Sequence, residues 1–242
     1  MIQFSDTGGN TGILQQTRKM MRVDATQWPT VNVVNSANNW LDKIIAYGVG
    51  VDKRFQVDDF NHTYLPEGTT NLVANQSDYS FLTDQSGSQI LTLVRIEILG
   101  TTGGSDWRVL KPIDQSEFEN TSLNALQVTA GSPMYYDKIA DNIIRLYPKP
   151  STSVTSGIKY TFQRSPSYFT ASDTTKTPGV APVLHRGFVV ASAYDGALTL
   201  GLANLNALSV ELAKEEKKMM DYFGSRSNDD RNIIKPKRIR FR

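Results

Sequence analysis

Residues 131–150 read GSPMYYDKIADNIIRLYPKP, which is the chemistry of a β-hairpin. Met134, Tyr135, Tyr136 and Ile139 fall on one strand, and Ile143, Ile144, Leu146 and Tyr147 on the next. Between them Ala140, Asp141 and Asn142 supply residues that tolerate turn geometry. Pro133 and Pro148 bracket the pair, because proline cannot donate to a strand ladder. The surroundings make the hairpin decisive: helical segments lie at both ends of the chain and strands run between them. The expected fold class is therefore α+β, with a four-helix bundle from the N- and C-terminal helices, an inserted and mostly antiparallel β-domain, and an extended C-terminal tail. The boundaries expected are an N-terminal arm and helices over 1–50, the β-domain over 51–165, a linker and C-terminal helices over 166–224, and a basic tail over 225–242.

Outward from the hairpin, residues 89–99 (QILTLVRIEIL) give the strongest strand, rich in β-branched side chains. A glycine-bearing loop at 100–106 closes it and residues 107–110 return, a second hairpin. Residues 54–57, 71–74, 79–82 and 157–163 are shorter strand candidates. Asp114 and Glu117 sit as a capping box for a single helical turn over 114–120. Five to seven strands joined in sequence point to an antiparallel sheet or small sandwich. On the N-terminal side, residues 1–12 read as an irregular arm. Ile13, Leu14, Thr17, Met20 and Met21 follow at helical spacing. After Trp28 and Pro29, Thr30 is the expected N-cap of a second helix. Its apolar stripe is Val31, Val34, Ala37, Trp40, Leu41, Ile44 and Ile45, with Gly48 and Gly50 ending it. On the C-terminal side an Ala-rich helix spans 183–202, a bend falls at Gly201, Asn204 and Asn206, and a last helix covers 205–223. Leu208, Leu212, Glu215 and Met219 line one face of that helix, and Gly224 is expected to stop it.

Composition narrows the classes of function. The chain has 242 residues, 39% of them hydrophobic and 21% charged, which is enough for one large domain or two small ones around a real core. It has no cysteine, which removes disulfides, thiolate metal sites and cysteine nucleophiles together. No apolar run approaches the ~20 residues that span a bilayer, and the start, MIQFSDTGGNTG, lacks the layout of a secretory signal. A cytosolic protein, or one built into a larger assembly, fits; a small secreted disulfide scaffold does not, and no membrane contact is expected. Only two histidines exist. Asp58, Asp59 and His62 lie close together, but a solvated turn explains them better than a metal site. His185 fits packing or hydrogen bonding at a helix start better than catalysis. Gly8–Gly9 and Gly103–Gly104 are not followed by the Lys-Ser/Thr that opens a phosphate-binding helix. No catalytic residue, cofactor or metal is expected.

The net charge of +2 conceals an asymmetry. Seven cations against two acids put the last eighteen residues at +5, which leaves the first 224 at −3. Within that tail Arg238, Ile239, Arg240, Phe241 and Arg242 alternate with the period of a strand, Ile239 and Phe241 on one face and the arginines on the other. Ile233, Ile234, Lys235 and Lys237 precede them. A disordered basic tail, or one holding DNA by charge alone, needs no Ile and Phe at alternate positions. A peptide that adds to an exposed sheet edge of a protein partner does.

The order GxPxYY, a short turn and I-x-L-Y-P-x-P is followed by Tyr160, Phe162 and Arg164, then Leu184–His185 and the Ala-rich helix. This succession resembles the head-to-tail adaptor proteins of tailed bacteriophages, the small connector or tail-tube-A-like family, over about residues 38–223. The resemblance implies a structural virion protein, not an enzyme: a ring, expected as a dodecamer, that joins the portal to the tail and continues the DNA channel. The implied partners are the portal protein, downstream tail or nozzle proteins, other copies of the chain, and genomic DNA passing without sequence recognition. The implied location is the head–tail interface of the virion, with assembly in the host cytoplasm. In such a ring the 100–106 loop could project toward the tail or the lumen, and the residues 233–242 named above become the portal-docking segment. Two rivals stand beside it. A tail-tube or collar subunit of the same particle would self-assemble without portal. A β-sandwich carbohydrate-binding module would use Trp28, Trp40, Trp107 and tyrosines as stacking platforms, although Trp40 sits in a helical core stripe.

Overall fold

The computed structural model describes residues 2–51, 65–84, 87–101, 103–113, 125–140 and 142–229. The chain divides into two compact units, Met1–Phe55 with Tyr168–Arg242, and Gln56–Ser167. Among the described residues there are five α-helices and eight strands, an α+β chain.

The first unit is helical. α1 (Ile13–Met21), α2 (Thr30–Val51), α4 (His185–Leu200) and α5 (Leu205–Asp229) belong to it, and α4 touches each of the other three. That central position explains why α4 is buried almost all round, from Gly187 through Ala193 and again at Gly196 and Ala197. A helix packed against three others keeps little polar face. The expected stripe of α2 is buried at Val34, Ala37, Trp40, Leu41, Ile44 and Ile45; Val31 alone is more than half exposed, and Val33 is buried in addition. The helix also starts one residue earlier than expected. The Pro29 carbonyl accepts from the Val33 N–H, and the Thr30 hydroxyl accepts from Arg18 instead of capping.

Two expected stops do not stop helices. α2 runs through Gly48 to Val51, with Gly48 buried on the packed stripe, and α5 runs through Gly224 to Asp229. Neither glycine has the left-handed backbone that ends a helix, whereas Gly201, at φ 64°, does and closes α4. A single glycine costs a helix roughly 1 kcal/mol, too little by itself to break one. The arm before α1 is irregular, but it is fastened. Phe4 is fully buried, stacked 5.0 Å from Phe169, and its backbone bonds to Lys176 and Leu14.

The second unit is a pair of four-stranded sheets on a shared core. β1 (Glu67–Leu72), β8 (Val154–Arg164), β3 (Ile90–Leu99) and β4 (Trp107–Val109) form one sheet in the order β1-β8-β3-β4. β2 (Asp78–Ser80), β7 (Ile143–Tyr147), β6 (Tyr135–Ala140) and β5 (Lys111–Pro112) form the other, in the order β2-β7-β6-β5. Every pairing is antiparallel except β5 with β6. Leu72, Ile96, Ile98, Ile158 and Phe162 from the first sheet meet Tyr79, Ile144 and Leu146 from the second. The hairpin of residues 131–150 is present as β6 and β7, with Ala140 still in the strand and opposite Ile143. The 107–110 return is present as β4. A short helix, α3 (Ala125–Val128), completes the unit. The expected strand at 54–57 and helical turn at 114–120 lie outside the described residues.

Candidate functional site

His185 opens α4 with its imidazole buried. Nε2 lies 2.9 Å from the Val180 carbonyl, and the Ile2 N–H points at Nδ1 from 3.4 Å. A donor at Nε2 and an acceptor at Nδ1 define the neutral ring, so this histidine ties the arm at Ile2 and the loop at Val180, ahead of the 3-10 turn Pro182–Leu184, to the start of α4. Burial lowers its pKa below the usual 6.5, against the Val180 hydrogen bond. A depressed histidine contributes stability above its unfolded pKa and loses it as the pH falls, because the unfolded chain takes the proton first. Thermal melts should therefore show a Tm that drops from pH 7 to pH 5, with a shallower slope in His185→Gln.

Asp58, Asp59 and His62 lie outside the described residues. Among the described residues no group of three His, Asp or Glu side chains could hold a metal, and no helix is long and apolar enough to cross a membrane. The charges on α5 serve packing. Arg186 of α4 reaches Glu211 at 3.2 Å and Glu215 at 3.6 Å, and Lys214 and Lys218 close the same carboxylates from one turn along. Tyr168, whose hydroxyl donates to Asp42 at 2.6 Å, is pushed up to about 12 by burial and by that carboxylate.

Of the three tryptophans, Trp28 and Trp40 are buried in the helical unit, and Trp107 alone reaches solvent. Two buried indoles cannot act as stacking platforms, which removes most of the basis for a carbohydrate module. Trp107 stands on β4, an outer strand whose three residues are all exposed. Beside it a cleft of about 120 Å³ is lined by Arg108, Val109, Lys111, Pro133, Met134 and Tyr135. It combines two cations with exposed aliphatic surface, the composition of an interaction patch rather than of a catalytic pocket. The 100–106 loop leads into this strand, exposed throughout its described residues, with Gly103 at φ 75°.

The tail residues Ile233, Ile234, Lys235, Lys237, Arg238, Ile239, Arg240, Phe241 and Arg242 lie outside the described residues. Residues 225–229, placed in the tail by sequence, are the last turn of α5.

Sequence reasoning missed two features. Phe4 is a lone aromatic among polar residues and carries no periodic signal. The ion pair of Arg164 with Asp84, 2.7 Å apart and almost fully buried, joins residues 80 positions apart. Neither has a local pattern to betray it.

No curated protein matches the chain. Residues 13–239 match the family model described as SU10 adaptor protein. The match takes in the helices, both sheets and most of the basic tail, and the chain belongs to the SU10 adaptor protein family, a family of phage head-to-tail adaptors.

Proposed function

We propose that this chain forms a ring of twelve copies that joins the portal to the tail and continues the DNA channel. Family membership over residues 13–239 is the observation that carries this reading. In it, α1, α2, α4 and α5 form a four-helix bundle that meets the portal and neighbouring copies. The chain resides at the head–tail interface of the virion after assembly in the host cytoplasm. Its partners are the portal, downstream tail or nozzle proteins, and genomic DNA, which passes without being read. The work is assembly rather than catalysis: complementary surfaces, some ordered only on docking, make each step depend on the previous one.

The anchor is the segment 233–242, in which Ile239 and Phe241 supply the apolar face and the arginines the charged one. An acidic portal groove with an open sheet edge would take it as an added strand. Co-sedimentation with the assembled portal ring tests this, comparing the full chain with one truncated after Asp229. The expected result is binding by the full chain and at least tenfold less by the truncated one. Equal binding removes the tail as anchor, and no binding by either removes the portal contact. A tail-tube or collar subunit, the second reading, would assemble on its own and ignore the portal.

A further inference from the structure

We infer that β1 of one copy and β4 of the next pair edge to edge, so that the first sheet runs on from copy to copy. This rests on the ring reading above and names the contact that builds it.

The strand polarity fits. All three pairings in the order β1-β8-β3-β4 are antiparallel. β1 and β3 therefore run one way, β8 and β4 the other, and the two outer strands oppose each other. Rotating a copy about a ring axis can bring its β1 beside a neighbour's β4 and continue the alternation unbroken. The second sheet cannot do this. Its β5 is parallel to β6, so β2 and β5 run in the same sense.

The hydrogen-bond phase also fits. The Phe162 N–H donates to the Pro66 carbonyl, 3.0 Å. Antiparallel alternation then turns Gly68 and Thr70 toward β8, and Glu67 and Thr69 outward. At the other edge the Leu110 N–H donates to the Ile96 carbonyl, 2.9 Å. That turns Arg108 toward β3 and aims the Val109 N–H and carbonyl outward, with the Trp107 carbonyl. The Trp107 N–H is already taken by Ser105. The outward residues also share a face. Thr69 stands opposite Lys159, Lys159 opposite Glu97, and Glu97 opposite Val109, a single row across the sheet. Residues directly opposed in a ladder must lie on one face, and Thr69 and Val109 meet that condition.

Side chains point the same way. Val109 is half exposed on β4, and Leu65 and Val73, flanking β1, are 76% and 41% exposed. Open apolar edges are what single-copy sheets avoid. Of the charges at the two edges, Lys111 beside β4 follows Val109 by two residues and Glu67 precedes Thr69 by two, with Glu67 also 3.6 Å from Lys159 of its own copy.

A cross-linking experiment decides the matter, helped by the absence of native cysteine. Thr69 and Val109 are both exposed. Opposed residues in a ladder have Cβ atoms about 4.5–5.5 Å apart, close enough for a short dithiol linker. Assembled particles carrying Thr69→Cys with Val109→Cys should give a ladder of covalent dimers, trimers and higher forms, and either single variant none. Particles of the double variant that yield no ladder overturn the pairing, as does a Val109→Cys variant that links to itself. The mass of the untreated wild-type assembly separates the two readings. A ring without a ladder defeats the edge contact alone, and a chain found only as single copies defeats the ring as well. Val109→Pro removes the outward N–H and leaves the Arg108 bonds in place. It should melt within a few degrees of wild type yet enter particles at least tenfold less, and unchanged incorporation overturns the proposal.

Discussion

Replacing Asp84 by alanine should destabilise the β unit by about 3–5 kcal/mol, the largest single effect expected in that unit. Asp84 Oδ2 sits 2.7 Å from Arg164 Nη1, with both side chains at most 2% exposed. The other carboxylate oxygen accepts the Ser88 N–H at 2.8 Å. Alanine at 84 leaves a guanidinium inside the protein without its carboxylate, at the end of β8 where Arg164 pairs with Ile90. Urea denaturation followed by circular dichroism measures the loss. Asp84→Leu with Arg164→Met should recover part of it, because removing both charges also removes the desolvation cost. Asp78→Ala is the matched control. Its pair with Arg145 has the same chemistry at the same 2.7 Å, and Arg145 holds Asp78 below the ordinary carboxylate range. Both partners are more than a third exposed, however, and the expected cost is under about 1 kcal/mol.

Gly187→Val should destabilise the helical unit by at least about 1–3 kcal/mol. A Cβ at 187 would lie 2.6 Å from Trp40 Nε1 and 2.7 Å from Cζ2. Trp40 is only 5% exposed, so the indole has little room to move. Either α2 and α4 must separate or the ring must leave its rotamer. Gly196 makes the useful comparison. The nearest atoms there are the Met21 sulfur and methyl, the flexible end of a side chain, with Trp28 Cε2 behind at 3.1 Å. Gly196→Ala should therefore cost less than Gly187→Ala, despite occupying the same helix. Paired thermal melts rank the two, and a reversed order would show that Trp40 yields more easily than Met21.

The parts of this fold that sequence discloses are those with a repeating signal. β3 reads as a strand from QILTLVRIEIL alone, and the hairpin around residues 135–147 from its alternation and flanking prolines. Ends are less legible. Val31 and Val33 are chemically equal at the start of α2, yet only the second is buried. Gly48 and Gly224 look like Gly201, yet only Gly201 takes the left-handed backbone, because there the chain must turn from α4 into α5. Long-range fastening leaves no local trace at all, as the stacking of Phe4 on Phe169 shows. The candidate interfaces divide in the same way. Alternation of Ile and Phe with Arg marks the tail in the sequence. The open edge at Trp107–Val109 became visible only once strand order placed β4 on the outside of its sheet.

The central claim is that this family member is a ring seated on the portal. The most direct measurement is the mass of the complex recovered after the full chain is mixed with excess assembled portal ring. Twelve copies bound to each portal, closed in a ring of their own, is the expected result. Portal recovered bare, with the chain in free rings or tubes, would contradict the account and favour a tail-tube or collar subunit.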